Sequence, residues 1–224
     1  MKPMQPTRMP WATILILALT FGMAFLQAEV GWRAVIKGVG IVPVYMRNPS
    51  VWFTVGEGQS VPVWATLVLY MFAHTGWAHV ISNTLGLGPL GVIVEKEVGS
   101  VRFVARYIAF GIAGAFCDAI VNPHSADPLV GASLAACGVA AAFMGGRASV
   151  GRSKAGMHAI RAAEIVTALA AVSWLLFRTI PPKPNFTSSI MCHGFPLILG
   201  WFVGRLESWR RGEKVAATSG EVSV

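Results

Sequence analysis

Long apolar runs, too long and too poor in charge to belong to a water-soluble domain, dominate this chain. They lie near 11–28, 77–94, 101–120, 132–146, 160–178 and 189–206. About 20 apolar residues in helical conformation cross the hydrocarbon layer of a bilayer, where the backbone must satisfy its own hydrogen bonds. The pattern predicts an all-α fold, a polytopic membrane helical bundle of six transmembrane helices. Charged residues make up only 12% of the chain, about half their share in a soluble domain. Half of the 24 glycines fall within the apolar runs, where they let membrane helices approach closely.

The spaces between the runs set the expected organisation. Residues 1–10 form a polar cytoplasmic segment. The first run exceeds the apolar core of a secretory signal, so it is read as a retained span. Residues 29–73 are too polar to span and too apolar for a free linker. They are expected as an extracytoplasmic, interfacial loop in which Trp52 and Trp64 sit at the membrane boundary. Residues 11–207 are then one membrane domain, and 208–224 a disordered cytoplasmic tail.

The net charge of +8 raises the question of nucleic acid. The basic residues flank the apolar runs instead of lining one face, so they read as orientation signals and no nucleic-acid partner is expected. With the N-terminus in the cytoplasm, only Arg33, Lys37, Arg47, Arg178 and Lys183 of the 18 Lys and Arg fall outside. That excess of inner positive charge, with six spans, puts both termini in the cytoplasm of a cell (plasma or inner) membrane. Cys117, Cys137 and Cys192 all lie in apolar stretches without zinc-ligand spacing, and no His-Glu-x-x-His helix is present. Neither metal nor cofactor is expected.

A few polar residues sit where hydrocarbon should make them expensive. His79 and Asn83 are four apart and share a helix face near the outer start of the second span, with His74 just before it. Ser133 follows Gly131 at the start of the fourth span. His193 lies in the outer third of the sixth, ahead of a Gly200–Gly204 pair spaced for close helix approach. Unpaired, such groups would cost several kcal/mol, so they face the bundle interior, a partner or water. Taken singly they suit helix–helix hydrogen bonds, a helix cap or a transport path. Ser133, His193, His79 and Asn83 all fall near the outer ends of their spans, which makes one common depth geometrically feasible.

These blocks resemble the rhomboid family of intramembrane serine proteases, from about Trp64 to Arg205. Tyr-Met-Phe-Ala-His at 70–74, leading to His79 and Asn83, is similar to the family's H-x-x-x-N segment with its preceding histidine. Val94 to Ser100 resembles the inner end of that helix, Val-Gly-Ala-Ser at 130–133 the nucleophile motif, and His193 with Gly200 the last-helix motif. The resemblance implies a Ser-His dyad, with Ser133 as nucleophile and His193 as general base. His79, Asn83 and the Ser133 N–H would form the oxyanion site, with Gly131 beside it. His74, Glu95 and Gly200 would be structural. The implied substrates are membrane proteins, cut in or near a transmembrane helix. Leu134 stands where the family commonly has Gly, Cys137 where an aromatic often packs on the base, and Pro196 where Gly is usual. The Trp-Arg pair often seen before the first histidine is replaced near Trp64, Ala65 and Thr66. These departures keep a second reading open, a catalytically inactive rhomboid-like protein that binds transmembrane helices.

Overall fold

The computed structural model describes residues 9–147 and 186–219. Eight α-helices and no β-strand lie among them. Three helices, α1 (Trp11–Val30), α5 (Trp77–Val98) and α6 (Ser100–Val121), are long and apolar enough to cross a membrane. A shorter apolar helix, α7 (Ser133–Arg147), follows. The expected sixth run falls within α8 (Phe186–Ser219), and the expected fifth, 160–178, lies outside the described residues. Where a disordered tail is expected from 208, α8 instead continues to Ser219. Glu213, Lys214, Ala216 and Ala217 are all helix-favouring.

The stretch between α1 and α5 is built of short pieces: α2 (Trp32–Val39), α3 (Pro43–Met46), a 3-10 turn at Pro49–Val51 and α4 (Val63–Leu69). It folds back on itself. The Trp52 indole N–H donates to Met46 O at 3.1 Å, and Ile41 and Leu129 exchange backbone hydrogen bonds of 3.0 and 2.7 Å. That exchange ties the segment to the loop preceding α7.

Helices α1 and α5 run antiparallel and are pinned at both ends. The first-turn amides of a helix lack intrahelical acceptors and carry positive partial charge. At the start of α1, the amides of Ala12 and Thr13 donate to the Glu95 carboxylate at 2.9 and 2.7 Å, and the Thr13 hydroxyl adds a third bond of 2.7 Å. Ser100 Oγ donates to the same carboxylate at 2.6 Å. Between Glu95 and Ser100, Gly99 turns the chain from α5 into α6 with φ +87°, a conformation that favours glycine. At the other end of α1, the Gln27 amide pairs with both backbone groups of His74. Its Nε2 donates to His74 O at 2.7 Å, and its Oε1 accepts from His74 N at 3.0 Å.

Helix α7 lies at the centre, packed on α5, α6 and α8. Lipid tails are as apolar as Leu, so close packing has to supply much of the adhesion between membrane helices. Small residues provide that closeness here. A methyl group added at Gly200 would strike the Gly138 carbonyl oxygen, and one at Gly204 the Ala142 carbonyl oxygen. Because residue numbers rise together along this seam, α7 and α8 run parallel. Facing α6, the Phe110 ring fills the space beside Gly138, and the buried Leu134 side chain fills the space beside Gly114. At the far end of the bundle, Arg106 of α6 pairs with Glu207 of α8.

Candidate active site

The start of α7 is held from three sides. Gly131 N–H donates to Tyr70 O at 2.9 Å, and the Tyr70 hydroxyl donates to Gly111 O of α6 at 2.7 Å. Two residues after Gly131 the helix opens at Ser133. The Ser133 Oγ lies 2.8 Å from Nε2 of His193 on α8. Hydroxyl and imidazole, 60 residues apart in sequence, are thus in hydrogen-bond contact across the parallel α7–α8 seam. Both residues are half-buried. The Gly200 and Gly204 contacts bring the two backbones close enough for that reach.

His79 and Asn83 approach from α5. Gly131 has φ +121°, and a methyl group added there would lie 2.9 Å from His79 Nε2 and 3.5 Å from Asn83 Nδ2. The missing side chain at 131 therefore lets two nitrogens come close to the backbone on one side of the glycine. The Asn83 Nδ2 is buried with no hydrogen-bond partner among the described residues. Such an orphan donor costs free energy at rest, and a negatively charged oxygen placed beside it would relieve it.

The Thr75 backbone amide favours one tautomer of His79. Its Nδ1 accepts the Thr75 backbone N–H in a long bond of 3.4 Å, and the Thr75 hydroxyl lies 3.2 Å away. A neutral ring that accepts at Nδ1 carries its proton at Nε2, the nitrogen beside Gly131. His74 packs edge-on against His79, with ring centroids 4.8 Å apart. His74 is fully buried, its Nδ1 is 3.0 Å from Phe72 O, and burial pushes its pKa down to about 4. It is a neutral packing partner of His79, not a charged group.

The structure brings Ser133, His193, His79, Asn83 and Gly131 together, with His74 behind His79. Glu95 is not at this site. It lies 12 residues beyond Asn83 on α5, about 18 Å along the axis, in the α1 cap. Gly200 contributes through helix packing. Leu134 and Pro196, two of the departures, are both buried, and Leu134 has a matching gap beside Gly114 in α6.

Three further residues support the site, and the sequence assigns none of them to it. Gln27 and Thr75 support the turn carrying the two histidines. Asp118 of α6 accepts from Cys192 Sγ at 3.2 Å and from Asn122 Nδ2 at 2.6 Å, which fixes α8 one residue before His193. A lone amide near the end of an apolar run was the available signal for Gln27. Thr75 acts through its backbone amide, which its residue type does not advertise.

Fold and site define an integral membrane helical bundle with a serine–histidine contact at one end. The Rhomboid domain family model matches residues 62–210, and the chain belongs to the rhomboid family. It is 37% identical over 81 residues to Rhomboid protease GluP of Bacillus subtilis (strain 168), covering 36% of this chain and 15% of that protein. It is 28% identical over 78 residues to RHOMBOID-like protein 5 of Arabidopsis thaliana, covering 35% of this chain and 25% of the other. The matched part spans a quarter or less of these relatives' length. No solved structure matches.

Proposed function

We propose that this protein is an intramembrane serine endopeptidase that cuts peptide bonds in or near the transmembrane helices of other membrane proteins. The observation that carries the reading is the 2.8 Å contact between Ser133 Oγ and His193 Nε2, made close to Gly131, where His79 Nε2 converges with Asn83 Nδ2, a donor without a partner among the described residues. A serine hydroxyl is a weak nucleophile unless a base lies within hydrogen-bond reach. Nε2 of His193 takes the Ser133 proton as Oγ attacks the scissile carbonyl, then delivers it to the leaving amine. The carbonyl oxygen becomes an oxyanion beside Gly131, stabilised by His79 Nε2–H and Asn83 Nδ2–H. Water resolves the acyl-enzyme with His193 again as base.

Helix α7 also suits a sunken site. Its 15 residues extend about 22 Å, less than the roughly 30 Å of hydrocarbon. If α7 ends at the inner boundary, Ser133 starts below the outer one. The proposed topology has six spans with both termini in the cytoplasm of the cell membrane. The parallel course of α7 and α8 supports it, because the chain has to return between them. A substrate helix hides its carbonyls in its own hydrogen bonds, so segments with small or helix-weakening residues near the outer face are the expected targets.

A panel of purified spanning segments, reconstituted with wild type, Ser133→Ala and His193→Ala, tests the proposal. Cleavage by wild type alone is expected. If all three proteins are equally inert but capture the same segments, the inactive helix-binding reading takes over.

A further inference from the structure

Helix α1 lies ahead of the region matched by the family model, yet one of its side chains reaches the turn behind the site. Gln27 is fully buried. Its amide donates to His74 O at 2.7 Å and accepts from His74 N at 3.0 Å, as a neighbouring strand would. A simple packing role needs neither bond, and an apolar residue of similar length would fill the same space without the desolvation cost. The clamped peptide is followed at once by Thr75, whose N–H meets His79 Nδ1. The His74 ring also lies edge-on against His79.

We infer that Gln27 is a positioning residue for the oxyanion donor: by gripping the His74 backbone it holds the Thr75 amide on His79 Nδ1, and so keeps the His79 proton on Nε2, facing Gly131. This rests on the proposed function only for its consequence in catalysis. The tautomer of His79 is a property of the resting protein. With the clamp released, the His74–Thr75 turn drifts, the 3.4 Å bond is lost, and the ring samples both tautomers. In one of them Nε2 has no hydrogen and repels an oxyanion.

The test compares full-length wild type with Gln27→Met, which keeps length and removes both hydrogen bonds, and with Gln27→Asn, which keeps the amide but shortens its reach. Ile16→Ala, a core truncation elsewhere on α1, serves as a control for general loosening of that helix. Histidine side-chain nitrogens are read by 15N NMR in bicelles, with the His79 signals assigned by their loss in His79→Ala. In parallel, kcat and KM are measured on the best-cleaved segment of the panel. Expected for wild type and Ile16→Ala is a single Nε2–H tautomer of His79. Gln27→Met should show mixed tautomers and a kcat lower by about tenfold, a fraction of the 10²–10³ lost with a whole donor, with KM within about twofold. Gln27→Asn should fall between, and it decides the matter alone if Gln27→Met does not fold. Wild-type tautomer and kcat in the folded Gln27 variants would overturn the inference, as would the same changes in Ile16→Ala. A wild type that cuts nothing would remove the proposed function, while the NMR comparison would still judge the role of Gln27.

Discussion

Replacing Gly131 by alanine probes the proposed oxyanion position with a single methyl group. At φ +121° a residue with a Cβ is strained by roughly 1–3 kcal/mol. The added methyl would lie 2.8 Å from His79 Cε1 and 2.9 Å from its Nε2, well inside ordinary contact, so the imidazole must move. It would also occupy the place proposed for the substrate oxygen. Removal of one oxyanion donor costs about 3 kcal/mol in the barrier, or roughly 160-fold in rate. Blocking the approach to both donors should cost at least as much. The Gly131 N–H bond to Tyr70 O uses the backbone and survives the change, so the protein should still fold, with a lowered melting temperature. Single-turnover cleavage of a reconstituted spanning segment, alongside thermal unfolding in the same detergent, measures both effects. A folded Gly131→Ala protein that cleaves within about threefold of wild type would refute the assignment of the oxyanion to this position.

Other expectations follow from the same contacts. Glu95→Ala strips the acceptors from Ala12 N–H and Thr13 N–H and should lower stability by about 2–4 kcal/mol, read by thermal unfolding, while the folded fraction keeps its catalytic rate because the cap is remote from Ser133. Leu134→Gly should open a cavity beside Gly114 and cost about 2–5 kcal/mol of stability, so a gain in stability would contradict the packing described. The His74 imidazole is held at about 4 against an ordinary 6.5. The unfolded chain thus takes up a proton that the folded one refuses. Its contribution is fully present above pH ~6.5 and falls by about 3 kcal/mol as pH drops towards 4, and His74→Gln should flatten that part of the stability-versus-pH curve. The Arg106–Glu207 pair is partly exposed, with side-chain accessibilities of 12% and 38%. Glu207→Gln should therefore change stability by no more than about 1 kcal/mol.

Hydropathy located the first four of the long helices to within a few residues. The run expected at 101–120 became Ser100–Val121, and that at 132–146 became Ser133–Arg147, because in these segments apolar length and helix length coincide. The apolar run ends at 94, four residues before the end of α5, since Glu95 to Val98 are too polar to register as a span, yet the helix continues to deliver the Glu95 carboxylate to α1. The region 29–73 was legible as structured but not as three short helices and a 3-10 turn, whose positions depend on contacts such as Ile41 with Leu129. In the site, Ser133, His193, His79 and Asn83 carried a signal because polar groups in apolar runs are rare. The grip of Gln27 on the His74 backbone, the Thr75 amide that sets the His79 tautomer, and the match between Leu134 and Gly114 are relations between distant residues. No single position announces them.

Covalent trapping tests the proposed activation of the Ser133 hydroxyl by His193 without knowledge of the natural substrate. Wild type and His193→Ala in lipid are treated with a fluorophosphonate, digested, and mapped by mass spectrometry. One adduct is expected, on Ser133, and it should disappear when His193 is removed. Wild type that stays unmodified at Ser133, or an adduct that forms equally well without the imidazole, would contradict the proposed activation.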